Sequence, residues 1–160
     1  MHWFREYSAV IEYGLEKGAE IAMERDRVVV ATPAIGDAYT VKPATVQDIA
    51  ALLGYIHNHP PGNEPGLSGY DLAYAAKLAR EACHGVFAVV LDEGRDEVIA
   101  ALVPSTVPSV ASRAWDRVLH ELIGISPDDP AGTQAAEDLG IRLWLWPADA
   151  GSMLVPDPLR

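Results

Sequence analysis

His57-Asn58-His59-Pro60, followed after seven residues by Ser68-Gly69-Tyr70-Asp71, gathers two imidazoles, a hydroxyl and a carboxylate within one short stretch of chain. Residues i and i+2 of an extended segment point the same way, so His57 and His59 can reach one ion. Asp71, one turn into a helix opened by Ser68, can add a carboxylate. Three nitrogen and oxygen ligands, with a fourth position left for water, are the number and type used by catalytic zinc sites. Each part also has a plainer reading. Two histidines beside a Pro-Gly loop are ordinarily exposed polar residues, and Ser68 three residues before Asp71 is a helix capping box.

Those side chains need elements to hold them. Tyr55-Ile56-His57 reads as a short strand, after a short apolar-periodic stretch with a capping-box-like start at Thr45-Val46-Gln47-Asp48 and an end at Gly54. From Pro60 to Gly66, three prolines and two glycines make a loop of restricted shape. Ser68 to His84 is the clearest helix, with Leu72, Ala75, Ala76, Ala79 and Cys83 at three- and four-residue spacing and Gly85 as its stop.

Upstream, Phe4 to Tyr13 suits a strand running into a turn at Gly14 and Gly18, although Ala9, Leu15, Ala19, Ala22 and Met23 equally allow a helix over Glu6 to Arg25. Val28-Val29-Val30-Ala31 has the continuous apolar run of a strand buried on both faces. Val86 to Leu91 and Val98 to Val103 pair across the polar turn Asp92 to Glu97. A second helix covers Val110 to Ile123, and Ile141 to Trp146 alternates as a strand with Trp144 and Trp146 packing on one face. Interleaved strands and helices, without internal repeats, make the class α/β with a mixed sheet.

A chain of 160 residues with 49% hydrophobic content is read as one domain over 1–160. Its net charge of -11 and lack of a basic run exclude direct nucleic-acid binding as an expectation. Cys83 is the sole cysteine, so the fold rests on packing and a bound metal, in a reducing, cytoplasmic setting. No stretch approaches the roughly 20 apolar residues of a membrane span.

The pattern His57-x-His59-Pro60-x7-Ser68-x-x-Asp71 resembles the JAMM (MPN+) motif of zinc metallopeptidases at every fixed spacing. The resemblance implies a single MPN domain of the JAB1/MPN, cytidine deaminase-like fold, a mixed curved sheet flanked by helices. It implies one zinc per chain on His57, His59 and Asp71, with Ser68 hydrogen-bonding the oxyanion or the zinc-bound water. It is tightest from His57 to Asp71, extends over about 4–103, and leaves the helix and strand of 104–160 unassigned.

The family also uses a glutamate general base on a strand with small residues just after it, in a pattern like Glu-x-x-Gly-x-Leu. Glu6-Tyr7-Ser8-Ala9-Val10-Ile11 fits best, which makes Glu6 the expected base. Glu12-Tyr13-Gly14-Leu15 is second, because the Glu16 and Lys17 that follow it are poor candidates for a buried strand. Glu20 and Glu24 read as solvated. Two positions depart from the common pattern: Ala9 stands where the family often has glycine, and Asn58 replaces its usual serine or threonine. His-Asn-His-Pro is the form seen in RadC-type MPN domains.

The activity implied is hydrolysis of a peptide or isopeptide bond at the C-terminal tail of a ubiquitin-like protein. The short turn from Asp92 to Glu97 leaves little room for the insertions with which linkage-specific members hold a second ubiquitin, so the expectation is simple deconjugation or precursor processing. A RadC-like domain of DNA metabolism is the second reading, disfavoured by the acidic charge. A non-catalytic MPN scaffold is the third, and such domains generally lose the metal ligands that this chain retains.

Overall fold

The structure is a computed structural model that describes residues 14–148 apart from residues 44, 46, 47, 49, 50 and 123. Seven strands are described: β1 (Lys17–Glu24), β2 (Arg27–Val30), β3 (Ala34–Ile35), β4 (Leu52–His59), β5 (Val86–Asp92), β6 (Glu97–Val103) and β7 (Arg142–Pro147). They form one open mixed sheet in the order β2-β1-β4-β5-β6-β7, with β3 also paired to β1. Among the described residues three α-helices accompany them: α1 (Gly69–Ala82), α2 (Asp116–His120) and α3 (Pro130–Asp138).

Among the described strands only β4 and β5 pair in parallel, with His57 opposite Val90 and His59 opposite Asp92. A parallel pair cannot close through a tight hairpin, so the chain crosses over through α1. Leu72, Ala75, Ala76 and Ala79 of α1 bury against Val86, Ala88 and Val90 of β5 and Ile99 and Ala101 of β6. On the opposite sheet face a smaller cluster joins Ala19, Ile56, Leu91 and Val98, with Trp146 packed against it. Strand alternation therefore puts Tyr55, His57 and His59 on the helix face and Ile56 and Asn58 on the other.

Several expectations hold. The α1 helix, the β5–β6 hairpin and the strand at β7 lie where the pattern placed them, and Trp144 packs near Phe87 with ring centroids 6.1 Å apart. Others are corrected. The helix ends before Cys83, which takes the left-handed C-cap conformation at φ 60° and is exposed. The alternative helix over Glu6 to Arg25 is excluded for its later part, since Lys17–Glu24 is β1, paired on both edges. The apolar run at Val28 to Ala31 is not buried on both faces: among the described residues β2 pairs only with β1, and Val28 is 60% exposed. A continuous valine run reports strand propensity, but a neighbouring strand is needed to bury it. The helix expected over Val110 to Ile123 shortens to a 3-10 turn at Arg113–Trp115 and the five residues of α2.

Gly54 does not separate the stretch before it from the strand; it lies inside β4, beside a register shift in the β1–β4 pairing. At φ 155° it passes so close to β5 that a Cβ would sit 2.1 Å from the Phe87 carbonyl oxygen. No described helix is long and apolar enough to cross a membrane.

Gly54→Ala should therefore destabilise the protein by at least about 2 kcal/mol, the range of an overpacked core. A urea midpoint equal to that of the wild type would show that β4 and β5 can separate at this point without cost.

Candidate metal centre

Ser68 holds the entry to α1 with a complete capping box. Its Oγ accepts the Asp71 N–H at 3.1 Å, and its own N–H donates to Asp71 Oδ2 at 2.7 Å. The Ser68 hydroxyl also donates to Oδ2, at 2.8 Å. The cap thus occupies one carboxylate oxygen and leaves the other, Oδ1, turned toward His57 Nε2 at 3.3 Å. The capping reading holds, and the same aspartate keeps an oxygen that could serve a metal ion.

The two histidines converge as period-two alternation requires. Their Nε2 atoms are 3.0 Å apart, and His59 Nε2 lies 3.9 Å from Asp71 Oδ2. A tetrahedral ion about 2.1 Å from each ligand would separate its donors by about 3.4 Å. One donor atom from each of His57, His59 and Asp71 lies within 4.8 Å of the others, so the set fits a small divalent cation. His59 is further prepared for this role. Its Nδ1 is 3.0 Å from the Glu64 carbonyl, which can only accept, so that nitrogen carries the proton and Nε2 keeps its lone pair.

The charges agree with the geometry. Burial pushes the Asp71 carboxyl up, but His57, His59 and the Ser68 N–H outweigh it and hold it at about 2. For His57, burial favours the neutral ring, yet Asp71 beside it raises its pKa above the usual value. For His59, burial and the neighbouring His57 lower it. His57 stacks on Tyr55 at 5.5 Å, and the Tyr55 hydroxyl donates to the Asp71 carbonyl at 2.8 Å, which ties β4 to the first turn of α1.

These groups line a cleft of about 620 Å³. Glu16, only 5% exposed, lines the same cleft. Burial drives its carboxyl up to about 7, moderated by His57 and by Asn63, whose Nδ2 donates to Glu16 Oε1 at 3.2 Å. The expected base Glu6, and Glu12 behind it, lie outside the described residues.

The expectation that Glu16 and Lys17 do not suit a buried position is corrected, since Lys17 is 3% exposed. So is the solvated reading of Glu20, which is 3% exposed with its carboxylate accepting from the Tyr74 hydroxyl at 3.2 Å. Glu24 is exposed as expected. Residue type alone favours exposure for a charge, whereas the end of β1 buries these side chains. The usable signal was Gly18-Ala19 directly after Glu16 and Lys17. Gly18 is opposite His57 in the β1–β4 ladder, and a Cβ there would meet Val41 at 2.9 Å. Asn63 and Tyr55 carried no sequence signal for a site.

Metal binding must displace any proton on His57. Because that pKa is raised, Zn2+ affinity should fall as pH drops below it, by about tenfold per pH unit for each proton displaced. Titration calorimetry in buffers of different ionisation enthalpy would check this; an affinity flat from pH 8 to about 6 would mean that His57 is not a ligand. No protein-family model matches the chain, and no curated protein or solved structure matches it.

Proposed function

We propose that this protein is a JAMM-type, zinc-dependent peptidase with an MPN domain, cutting a peptide or isopeptide bond at the C-terminal tail of a ubiquitin-like protein. The observation that carries this reading is a pair of carboxylates with opposite tuning in one cleft. Asp71 is held ionised beside His57 and His59, and Glu16, in the lining of the same cleft, is poised near neutral pH. Pairs of acids whose environments drive their pKa values apart divide ligand and proton-transfer roles between them.

A divalent ion on His57, His59 and Asp71 would supply Lewis acidity, polarising a carbonyl and making water nucleophilic near neutral pH. Its charge would also pull the Glu16 carboxyl down from about 7, so that Glu16 is ionised and able to accept a proton. In this reading Glu16 takes the proton from the attacking water at its carboxylate and returns it to the leaving amine. Asn63 orients that carboxylate through its amide hydrogen. Ser68 lines the cleft beside Asp71, where its hydroxyl can turn from the cap toward the oxyanion.

The walls favour an extended, slender substrate. The Pro60–Gly66 loop is tied down by the Gly66 N–H donating to Asp92 Oδ2 at 3.3 Å and by the Leu67–Ile125 bridge, so it cannot yield to bulky side chains. Tyr39 and Tyr70 stand on the rim, 77% and 73% exposed, available to an arriving chain. The sequence His57-Asn58-His59-Pro60 supports the RadC-like alternative, which shares the ligands and differs in substrate.

Four outcomes test the reading. Wild-type protein should carry one zinc, and His57→Ala or Asp71→Asn should lose it. Glu16→Gln should keep zinc while losing about 10²–10⁴ in turnover of reporters fused behind ubiquitin-like tails; an active Glu16→Gln with a dead Glu6→Gln would move the base to Glu6. Ser68→Ala should retain the metal, lose about 1 kcal/mol of stability with the cap and slow turnover about 10²–10³-fold. A stability loss alone would confine Ser68 to capping. No metal-dependent cleavage across a panel of such fusions would remove the ubiquitin-like substrate and leave the RadC-like reading ahead.

A further inference from the structure

Between the two histidines, Asn58 turns away from the cluster to the other face of β4, where it is 1% exposed. A buried primary amide must satisfy one acceptor and two donor hydrogens. Its Oδ1 accepts the Lys17 N–H at 2.6 Å. Its Nδ2 donates to Glu93 Oε1 at 3.0 Å and reaches the Leu15 carbonyl at 3.4 Å. Two of those three partners are the peptide groups immediately before and after Glu16.

The pairing of β1 with β4 stops at Gly18 opposite His57. Beyond that rung the Asn58 side chain takes over, offering a C=O and an N–H as a strand's own peptide would. The other edge of the same segment is already held, since the Glu16 N–H donates to the Asp37 carbonyl at 2.7 Å and the Gly36 N–H donates to the Glu16 carbonyl at 2.8 Å. Glu16 is thereby clamped along both edges. Glu93, the third partner, is itself fixed by its N–H donating to the His59 carbonyl at 3.0 Å.

We infer that Asn58 is a positioning residue that holds Glu16 at the metal centre by extending the β1–β4 ladder past its last backbone rung. The same three-residue stretch of β4 would then place the metal ligands on one face of the sheet and, from the other face, the proposed base. Serine, common at this position in the resembling family, could accept the Lys17 N–H but has no pair of amide hydrogens for Leu15 and Glu93. The inference rests on the assignment of Glu16 as base, and its test includes readouts that do not depend on turnover.

The experiment compares full-length wild type, Asn58→Ala, Asn58→Ser and Glu16→Gln. In Asn58→Ala the Lys17 amide should exchange about tenfold faster, the size expected of one lost hydrogen bond, while Ile56 and Val90 keep their protection. With Co2+ as the metal probe, the cobalt-induced NMR shift of the Glu16 side chain should move toward its metal-free value, and those of Tyr55 and Ser68 should stay. On a cleavable tail fusion, kcat should fall about 10²-fold, as for a misplaced catalytic group, with KM and cobalt affinity unchanged. Asn58→Ser should be intermediate and serves if Asn58→Ala does not fold. Wild-type exchange, cobalt shifts and kcat in a folded Asn58 variant, beside an inactive Glu16→Gln, would overturn the inference. Full turnover in Glu16→Gln would instead overturn the base assignment, leaving exchange and cobalt shifts to decide whether Asn58 holds the segment. Wild type that takes up no cobalt would overturn the metal reading, and the exchange measurement would then decide.

Discussion

The parallel pairing of β4 with β5 is the constraint from which the site follows. Because the two strands run the same way, the chain leaving His59 has to travel back along the sheet before entering β5 at Val86, and α1 makes that journey packed on the helix face. A crossover of this kind begins beside the carboxyl end of its first strand, where open α/β sheets collect their ligands. The first turn of α1 is therefore delivered to the end of β4 that carries His57 and His59. Its helix dipole favours an anion there, and Asp71 is that anion.

A group of polar residues is buried around this end of the sheet, and each has a partner that offsets its desolvation. Glu16 receives Asn63, Glu20 receives the Tyr74 hydroxyl, and Asn58 is saturated by Lys17, Leu15 and Glu93. Asp92 accepts the N–H groups of Gly66 and Arg95. The outcome differs between the two acids of the cleft. Asp71 has cationic and N–H neighbours enough to stay ionised, whereas burial dominates at Glu16. That asymmetry is what supports a division into ligand and proposed base.

The part of the chain after Pro104 buttresses the cleft. Leu67 and Ile125 exchange backbone hydrogen bonds at 3.0 and 2.8 Å. Gly124 packs so closely that a Cβ would stand 1.8 Å from the Pro65 carbonyl oxygen, and at Gly69 one would stand 2.2 Å from that of Val118. The proline-rich loop and the start of α1 are thus wedged from behind by α2 and the segment after it. Small residues at these contacts let backbone meet backbone.

Local chemistry alone made some features legible. Spacing at two residues predicted that His57 and His59 share a face, Ser68 with Asp71 predicted the cap and the carboxylate, and unbroken apolar periodicity predicted α1 and the β5–β6 hairpin. These depend on neighbours in the chain. Tertiary structure decided what depends on partners distant in sequence. Val28 to Val30 has the composition of a core strand but is at the edge of the described sheet, with Val28 exposed, because burial is conferred by the strand alongside. Glu16 and Lys17 are by type poor candidates for a buried strand but are buried, because they meet polar partners far along the chain: Asn58 is 41 residues away from Lys17 and Asn63 is 47 from Glu16. No window on the sequence spans such a pair; only the β1–β4 register, set when the whole sheet closes on its core, brings them together.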